Sequence, residues 1–152
     1  MTKYWIAAAA VVGLSGFAAA QNAATVPVLA DQVIAARQAA MDLEGGNLRL
    51  MKAAVDAKAD VKPLASSAEA IAKWGRAMPG LFPDGTQHGH DTTANASVWS
   101  DRTGFEAAAA KLVEASDKLA QAARSDDKAA FAEQFAAVGQ SCGACHRQYR
   151  TR

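Results

Sequence analysis

The sequence predicts an all-α fold, an antiparallel bundle of four helices. The 152-residue chain is rich in alanine, the strongest helix former, and no stretch alternates apolar and polar residues as a half-buried strand would. Its last helical stretch carries an apolar stripe at alternating steps of four and three residues, the spacing of a seam in a helical bundle. That stripe consists of Phe131, Phe135, Val138, Cys142, Cys145 and Tyr149.

The first two helices follow from apolar spacing and from a capping pattern. We expect the first to run from about Val28 to Ala59, although Gly45-Gly46 lowers its helix propensity. Its apolar stripe consists of Ile34, Met41, Leu48, Met51 and Val55. The second is expected to begin at Ser66-Ser67-Ala68-Glu69, a capping-box pattern, and to end near Pro79.

The last two helices follow a long crossover loop. Residues 79–93 contain Pro79, Pro83, His88 and His90 and predict an exposed connection. The third helix is expected from about Asn95 to Ser125. The fourth is expected to begin at residues 125–127, where a serine and two aspartates form a favourable N-terminal cap.

Residues 1–20 have the pattern of a secretory signal peptide. A short segment with Lys3 precedes an apolar run that ends in Ala18-Ala19-Ala20, and this run is short for a membrane span. We expect cleavage after Ala20, leaving residues 21–152 as one exported domain. Loss of Lys3 would bring the 16 Lys and Arg residues to parity with the 15 Asp and Glu residues. We therefore expect no nucleic-acid partner, and no membrane association after cleavage.

The motif Cys142-Gly143-Ala144-Cys145-His146 contains both cysteines of the chain. C-x-x-C-H is the attachment signature of c-type haem. Two thiols three residues apart on a helix can add to the two vinyl groups of one porphyrin, and the histidine on the same face can bind the iron. The sequence therefore predicts one covalent haem c, with His146 as an axial ligand.

The two cysteines have three other possible interpretations. A disulfide between Cys142 and Cys145 would close a very small loop and constrain the unfolded chain little. A thioredoxin-like redox pair needs its thiols at a helix N-terminus, whereas these end a long helical pattern. A zinc site would need further ligands, for which only His88 and His90 are available beside the motif.

Four segments resemble the class II c-type cytochromes, that is, cytochrome c′ and its low-spin relatives. They are CGACHRQYR at 142–150, LFPDGT at 81–86, Val98-Trp99, and RQAAM at 37–41. The resemblance covers almost all of the chain after residue 20 and implies an antiparallel four-helix bundle with haem in its core. Ordinary small cytochromes c, by contrast, carry the motif near the N-terminus.

The resemblance directs attention to Met41 and Arg37. In cytochrome c′ proper, the position matching Met41 holds a bulky residue that does not bind iron, whereas in low-spin members a methionine there is the second axial ligand. Met41 is therefore the expected metal ligand opposite His146, with core packing as the alternative. Met51 and Met78 are the other candidate methionines. Arg37 is expected to pair with a haem propionate, the alternative being a solvated arginine.

Together these features predict a periplasmic, monohaem one-electron carrier with His/Met-ligated low-spin iron. Redox proteins would be its partners, and a homodimer is possible. The alternative function is a five-coordinate protein of the cytochrome c′ type that binds NO or CO. A peroxidase-like enzyme would need an acid/base residue beside the open iron, and the first helix has no histidine, so no enzymatic activity is expected.

Overall fold

A computed structural model describes residues 29–151, so the predicted signal peptide lies outside the described residues. Five helices occur within this range, four of them long. The helices are α1 (Ala30–Ala57), α2 (Ala65–Ala77), α3 (Ser97–Ser100), α4 (Arg102–Arg124) and α5 (Lys128–Tyr149). The long helices confirm the predicted all-α four-helix bundle. None of the helices in residues 29–151 is long and apolar enough to cross a membrane.

α1 is continuous through Gly45-Gly46, because the apolar side of the helix packs against the rest of the bundle. Ile34 and Met51 on that side are fully buried. α1 ends at Ala57, where Lys58 adopts a left-handed conformation and its N–H bonds to the carbonyl oxygens of Ala54 and Val55.

The predicted capping box at Ser66 is wrong. α2 begins at Ala65, directly after a 3₁₀ turn at Lys62–Leu64 that contains Pro63, and no side chain caps its N-terminus. The turn already orients the chain for the helix, since proline fixes its own φ near the helical value. The end near Pro79 is confirmed, with a 3₁₀ turn at Met78–Leu81 following α2.

The predicted third helix is divided into α3 and α4 at Asp101. This residue leaves the helical conformation, and its carboxylate accepts hydrogen bonds from the backbone N–H of Gly104 and from the hydroxyl of Tyr149, the latter at 2.8 Å. An aspartate that caps a helix begins it anew, which explains the division. At the start of α5, the predicted cap is confirmed, because the carboxylate of Asp127 accepts a hydrogen bond from Ala130 at 2.9 Å.

In the structure the crossover loop spans residues 82–96, between the 3₁₀ turn that ends at Leu81 and the start of α3. This loop is joined to the end of α5. Ala94 and Arg150 form an isolated antiparallel bridge. The N–H of Asn95 donates to the carbonyl of Tyr149 at 3.0 Å, and the N–H of Thr151 donates to the carbonyl of Thr93 at 2.7 Å. The loop is therefore held beside the helix that carries the C-x-x-C-H motif.

Candidate haem-binding site

α5 brings the two cysteines and His146 to neighbouring positions on one side of the helix. Their spacing of three residues and then one places them within little more than one helical turn. Both cysteines are half-buried free thiols, and His146 lies at the exposed edge. The α5 geometry is thus the one expected for attachment of a single porphyrin.

The environment of the thiols argues against the redox-pair and zinc alternatives. Burial raises the pKa of both thiols, and the carboxylate of Glu44 raises that of Cys142 further, whereas reactive cysteines have lowered pKa values. His88 and His90 are exposed on the crossover loop. Across residues 29–151, no three His, Cys, Asp or Glu side chains are grouped to hold a metal ion.

Two adjoining cavities lie beside the motif. The larger has a volume of about 480 Å³ and the smaller about 120 Å³. Met41, Met78, Cys145 and His146 line both, whereas Cys142 lines the smaller one. Residues of α1 and the motif on α5 therefore border the same two cavities.

The residues around these cavities fit a covalent haem c. The larger volume is in the range of cofactor pockets, and apolar and aromatic side chains form much of the wall. Two thiols and one imidazole border the same space, and these are the groups that haem c needs for its thioethers and its axial bond.

The three candidate methionines occupy different places. Met41 on α1 is partly exposed and lines both cavities, as an axial ligand or a packing residue could. Met51 is fully buried in the core and lines neither cavity. Met78, directly after α2, is buried and lines both cavities as well.

Arg37 anchors the crossover loop. Its side chain is 3% exposed, so the solvated alternative is wrong. Its two terminal nitrogens donate to the carbonyl oxygens of Leu81 and Thr86 at 3.3 and 2.9 Å, and to the hydroxyls of Thr86 and Thr92 at 3.0 and 2.8 Å. The guanidinium also lies 4.3 Å from the ring centre of Phe82. Arg37 lines the larger cavity, and its pairing with a propionate stays a prediction.

Aromatic side chains form one wall of the larger cavity. Phe82, Phe105 and Tyr149 are buried and meet edge to face, with ring centres 5.0 Å apart for the two phenylalanines and 5.2 Å for Phe105 and Tyr149. Trp99 packs on the outer side of Phe82 at 6.1 Å. Phe105 and Tyr149 are thus aromatic residues of the core, whereas Trp99 is only partly buried.

The surroundings of His146 favour its neutral form, the form in which imidazole binds a metal. Although it is exposed at the cavity edge, partial desolvation lowers the pKa of its side chain, and the positive charge of Arg150 lowers it further. Arg150 itself lines the larger cavity.

Sequence reasoning missed Glu44 and Trp74, which line the smaller cavity. Glu44 is three residues beyond Met41 and seven beyond Arg37, so the helical period of α1 places it on the side of the helix that both residues share. That spacing could have revealed Glu44, whereas nothing in the sequence distinguished Trp74 from an ordinary core aromatic.

Comparison with known proteins agrees with this geometry. The family model described as Cytochrome C' matches residues 32–150. The chain belongs to the cytochrome c′ family. The chain is 36% identical to a cytochrome c′ of Pararhodospirillum photometricum over 115 residues, covering 75% of the chain and 92% of that protein.

Two solved members of the cytochrome c′ family are similar in structure. One is a nitric oxide complex of a cytochrome c prime variant from Alcaligenes xylosoxidans, with 26% identity and a TM-score of 0.74, covering 82% of this chain and 98% of that one. The other is a cytochrome c′ with ligand-controlled dimer dissociation, with 25% identity and a TM-score of 0.77 over the same shares. Cytochromes c′ carry one covalently bound haem c, which confirms the predicted cofactor.

Proposed function

We propose that this chain is a five-coordinate cytochrome c′-type protein that binds NO or CO, the alternative of the sequence-based prediction. The observation that supports it best is the match to proteins named cytochrome c′, among whose solved relatives is a nitric oxide complex. Bound haem would supply an iron that changes oxidation state and takes up diatomic gases.

Each site residue has a separate task in this proposal. Cys142 and Cys145 would hold the cofactor through thioethers, and His146 would be a ligand of its iron. Met41 and Met78 line both cavities together with His146, and their apolar side chains would disfavour water beside the iron. Arg37 keeps the crossover loop against the larger cavity. No substrate is transformed, so we propose a binding protein and not an enzyme.

An absorption spectrum of the purified holo-protein tests the proposal. A high-spin spectrum in both oxidation states, which changes when CO or NO is added to the reduced protein, is the expected result. A low-spin spectrum that CO leaves unaltered would contradict it and support the second candidate.

The second candidate is the His/Met-ligated electron carrier, with redox proteins as partners. It is favoured by the place of Met41, which lines both cavities together with His146. A Met41→Leu variant separates the candidates, because it should convert a low-spin wild type to high spin and leave a high-spin wild type high-spin.

We also propose that two copies of the chain associate through α1. Leu29, Leu43 and Leu50 are 57%, 71% and 55% exposed, and their positions fall on one heptad stripe. The exposed small residues Ala36, Ala39 and Ala53 on this helix would permit close approach. Pairing is further supported by the structural relative whose dimer is ligand-controlled. Sedimentation should show a dimer that a Leu43→Glu/Leu50→Glu variant abolishes and the exposed-site control Lys111→Glu retains.

The proposed location is the periplasm, in keeping with the signal-peptide pattern of residues 1–20. Cell fractionation and N-terminal sequencing of the mature protein test it. The expected first residue is Gln21, and recovery of uncleaved protein in the cytoplasm would contradict export.

A further inference from the structure

Glu44 introduces a carboxyl group into a mostly apolar part of the haem site. It lines the smaller cavity together with Met41 and Cys142, and its side chain is half-buried. The rest of this wall is largely apolar or aromatic: Leu48, Ile71, Trp74, Met78, Ala108 and Leu112.

Two observations describe the surroundings of the Glu44 carboxyl group. Asn47 donates a hydrogen bond from Nδ2 to Oε2 of Glu44 at 3.3 Å, which restrains the side chain. In addition, Cys142 on α5 lines the same cavity as Glu44, and the charge of Glu44 contributes to the raised pKa of this thiol. Burial in turn raises the pKa of Glu44 itself.

Glu44 is on the helix that faces α5 across the cavities. Because His146 would bind the iron from α5, the opposite face of the iron would be turned toward α1, on which Glu44 follows Met41 by about one turn. A ligand on that face would lie in a poorly solvated space near the carboxylate, where charges are screened less than at the surface.

We infer that Glu44 determines ligand specificity, by disfavouring anionic ligands relative to neutral CO and NO. This inference rests on the proposed five-coordinate function and deepens it. An ionised carboxylate repels an anion in a space of low polarity, whereas it changes the free energy of binding a neutral diatomic little.

Equilibrium titrations with two probes test the inference: azide with the ferric holo-protein and CO with the ferrous holo-protein, both at mildly alkaline pH. Glu44→Gln removes the charge and keeps the shape of the side chain. We expect azide to bind on the order of tenfold more tightly to this variant, with little change for CO. The matched control is Glu133→Gln, which removes an exposed carboxylate from α5 and should leave both affinities unchanged.

Three outcomes of these titrations would contradict the proposed role of Glu44. The Glu44→Gln variant could bind azide with the same affinity as the wild type, or neither protein could bind azide detectably. The substitution could also change the affinities for azide and CO by the same factor. The CO stretching frequency gives a second measurement. A nearby negative charge opposes donation of electrons from iron into CO, so the frequency should fall in Glu44→Gln and stay constant in Glu133→Gln.

Failure of the proposed function would be distinguishable from failure of this inference. A low-spin wild type would contradict five-coordination alone, and the same titrations would then be made in a Met41→Ala background, which opens that face of the iron. A high-spin wild type whose azide affinity does not respond to Glu44→Gln would contradict the role of Glu44 alone.

Discussion

Replacing Arg37 with methionine tests whether this buried guanidinium holds the crossover loop in place. The substitution keeps an unbranched side chain of similar reach but removes four hydrogen bonds, to Leu81, to Thr92, and twice to Thr86. It also leaves the buried Thr86 without its charged partner.

The expected cost follows from these contacts. A hydrogen bond to a charged group contributes about 1.5–3 kcal/mol, the contributions of one network do not add fully, and the apolar methionine recovers part of the loss. We therefore expect the free energy of unfolding to fall by about 3 kcal/mol. For a domain of this size that corresponds to a fall in Tm of about 10 °C.

Urea denaturation of the holo-protein, followed by far-UV circular dichroism, measures the change. Arg49→Met is the matched control, because Arg49 is an exposed arginine on the same helix and should cost little. Hydrogen exchange should also quicken in residues 82–96 of the Arg37→Met variant. A loss of stability no larger than that of the control, with unchanged exchange in the loop, would refute this account of Arg37.

Three further predictions concern other residues of the fold. Ser116 is fully buried and its hydroxyl has no hydrogen-bond partner within residues 29–151. Ser116→Ala should therefore raise the free energy of unfolding by about 1 kcal/mol in urea denaturation, and a loss of stability would show that the hydroxyl is satisfied. Gly104→Ala should lower the Tm, because a Cβ there would collide with the carboxylate of Asp101 and lie 2.6 Å from the hydroxyl of Tyr149. A Tm equal to that of the wild type would mean that both side chains move aside without cost. Burial and Asp101 raise the pKa of Tyr149 to about 12, above the ordinary value of 10. Between these two pH values the folded state keeps a proton that the unfolded chain loses. The free energy of unfolding should therefore fall as pH rises from about 10 to about 12. Absorbance titration can measure this directly, because Tyr149 is the only tyrosine after residue 20, and a Tyr149→Phe variant should lack that part of the pH dependence.

Periodicity and motif chemistry account for what the sequence predicted well. The 4-3-4-3-4 stripe of α5 and the C-x-x-C-H spacing depend on local geometry, so the helix and its haem-facing side could be inferred without tertiary information. The cap at Asp127 was predictable for the same reason.

The parts that could not be predicted depend on contacts between segments distant in sequence. Asp101 caps α4 and also accepts a hydrogen bond from Tyr149, which is 48 residues away, and no local pattern indicates this second contact. Arg37 could be assigned either to solvent or to a propionate, but its partners in the crossover loop become apparent only when the loop is folded over α1. Ser66 matched a capping pattern, yet the preceding proline turn already began the helix.

The bridge between Ala94 and Arg150 has a consequence for the entropy of cofactor binding. Arg37 joins α1 to Thr92, and the neighbouring residues of the loop join the end of α5, so hydrogen bonds connect the two helices around the rim of the larger cavity. This connection fixes the separation of the cavity walls through the polypeptide itself. Conformational entropy is thus lost when the chain folds and need not be lost again when the cavity is filled, which makes the site preorganised for a flat, rigid cofactor.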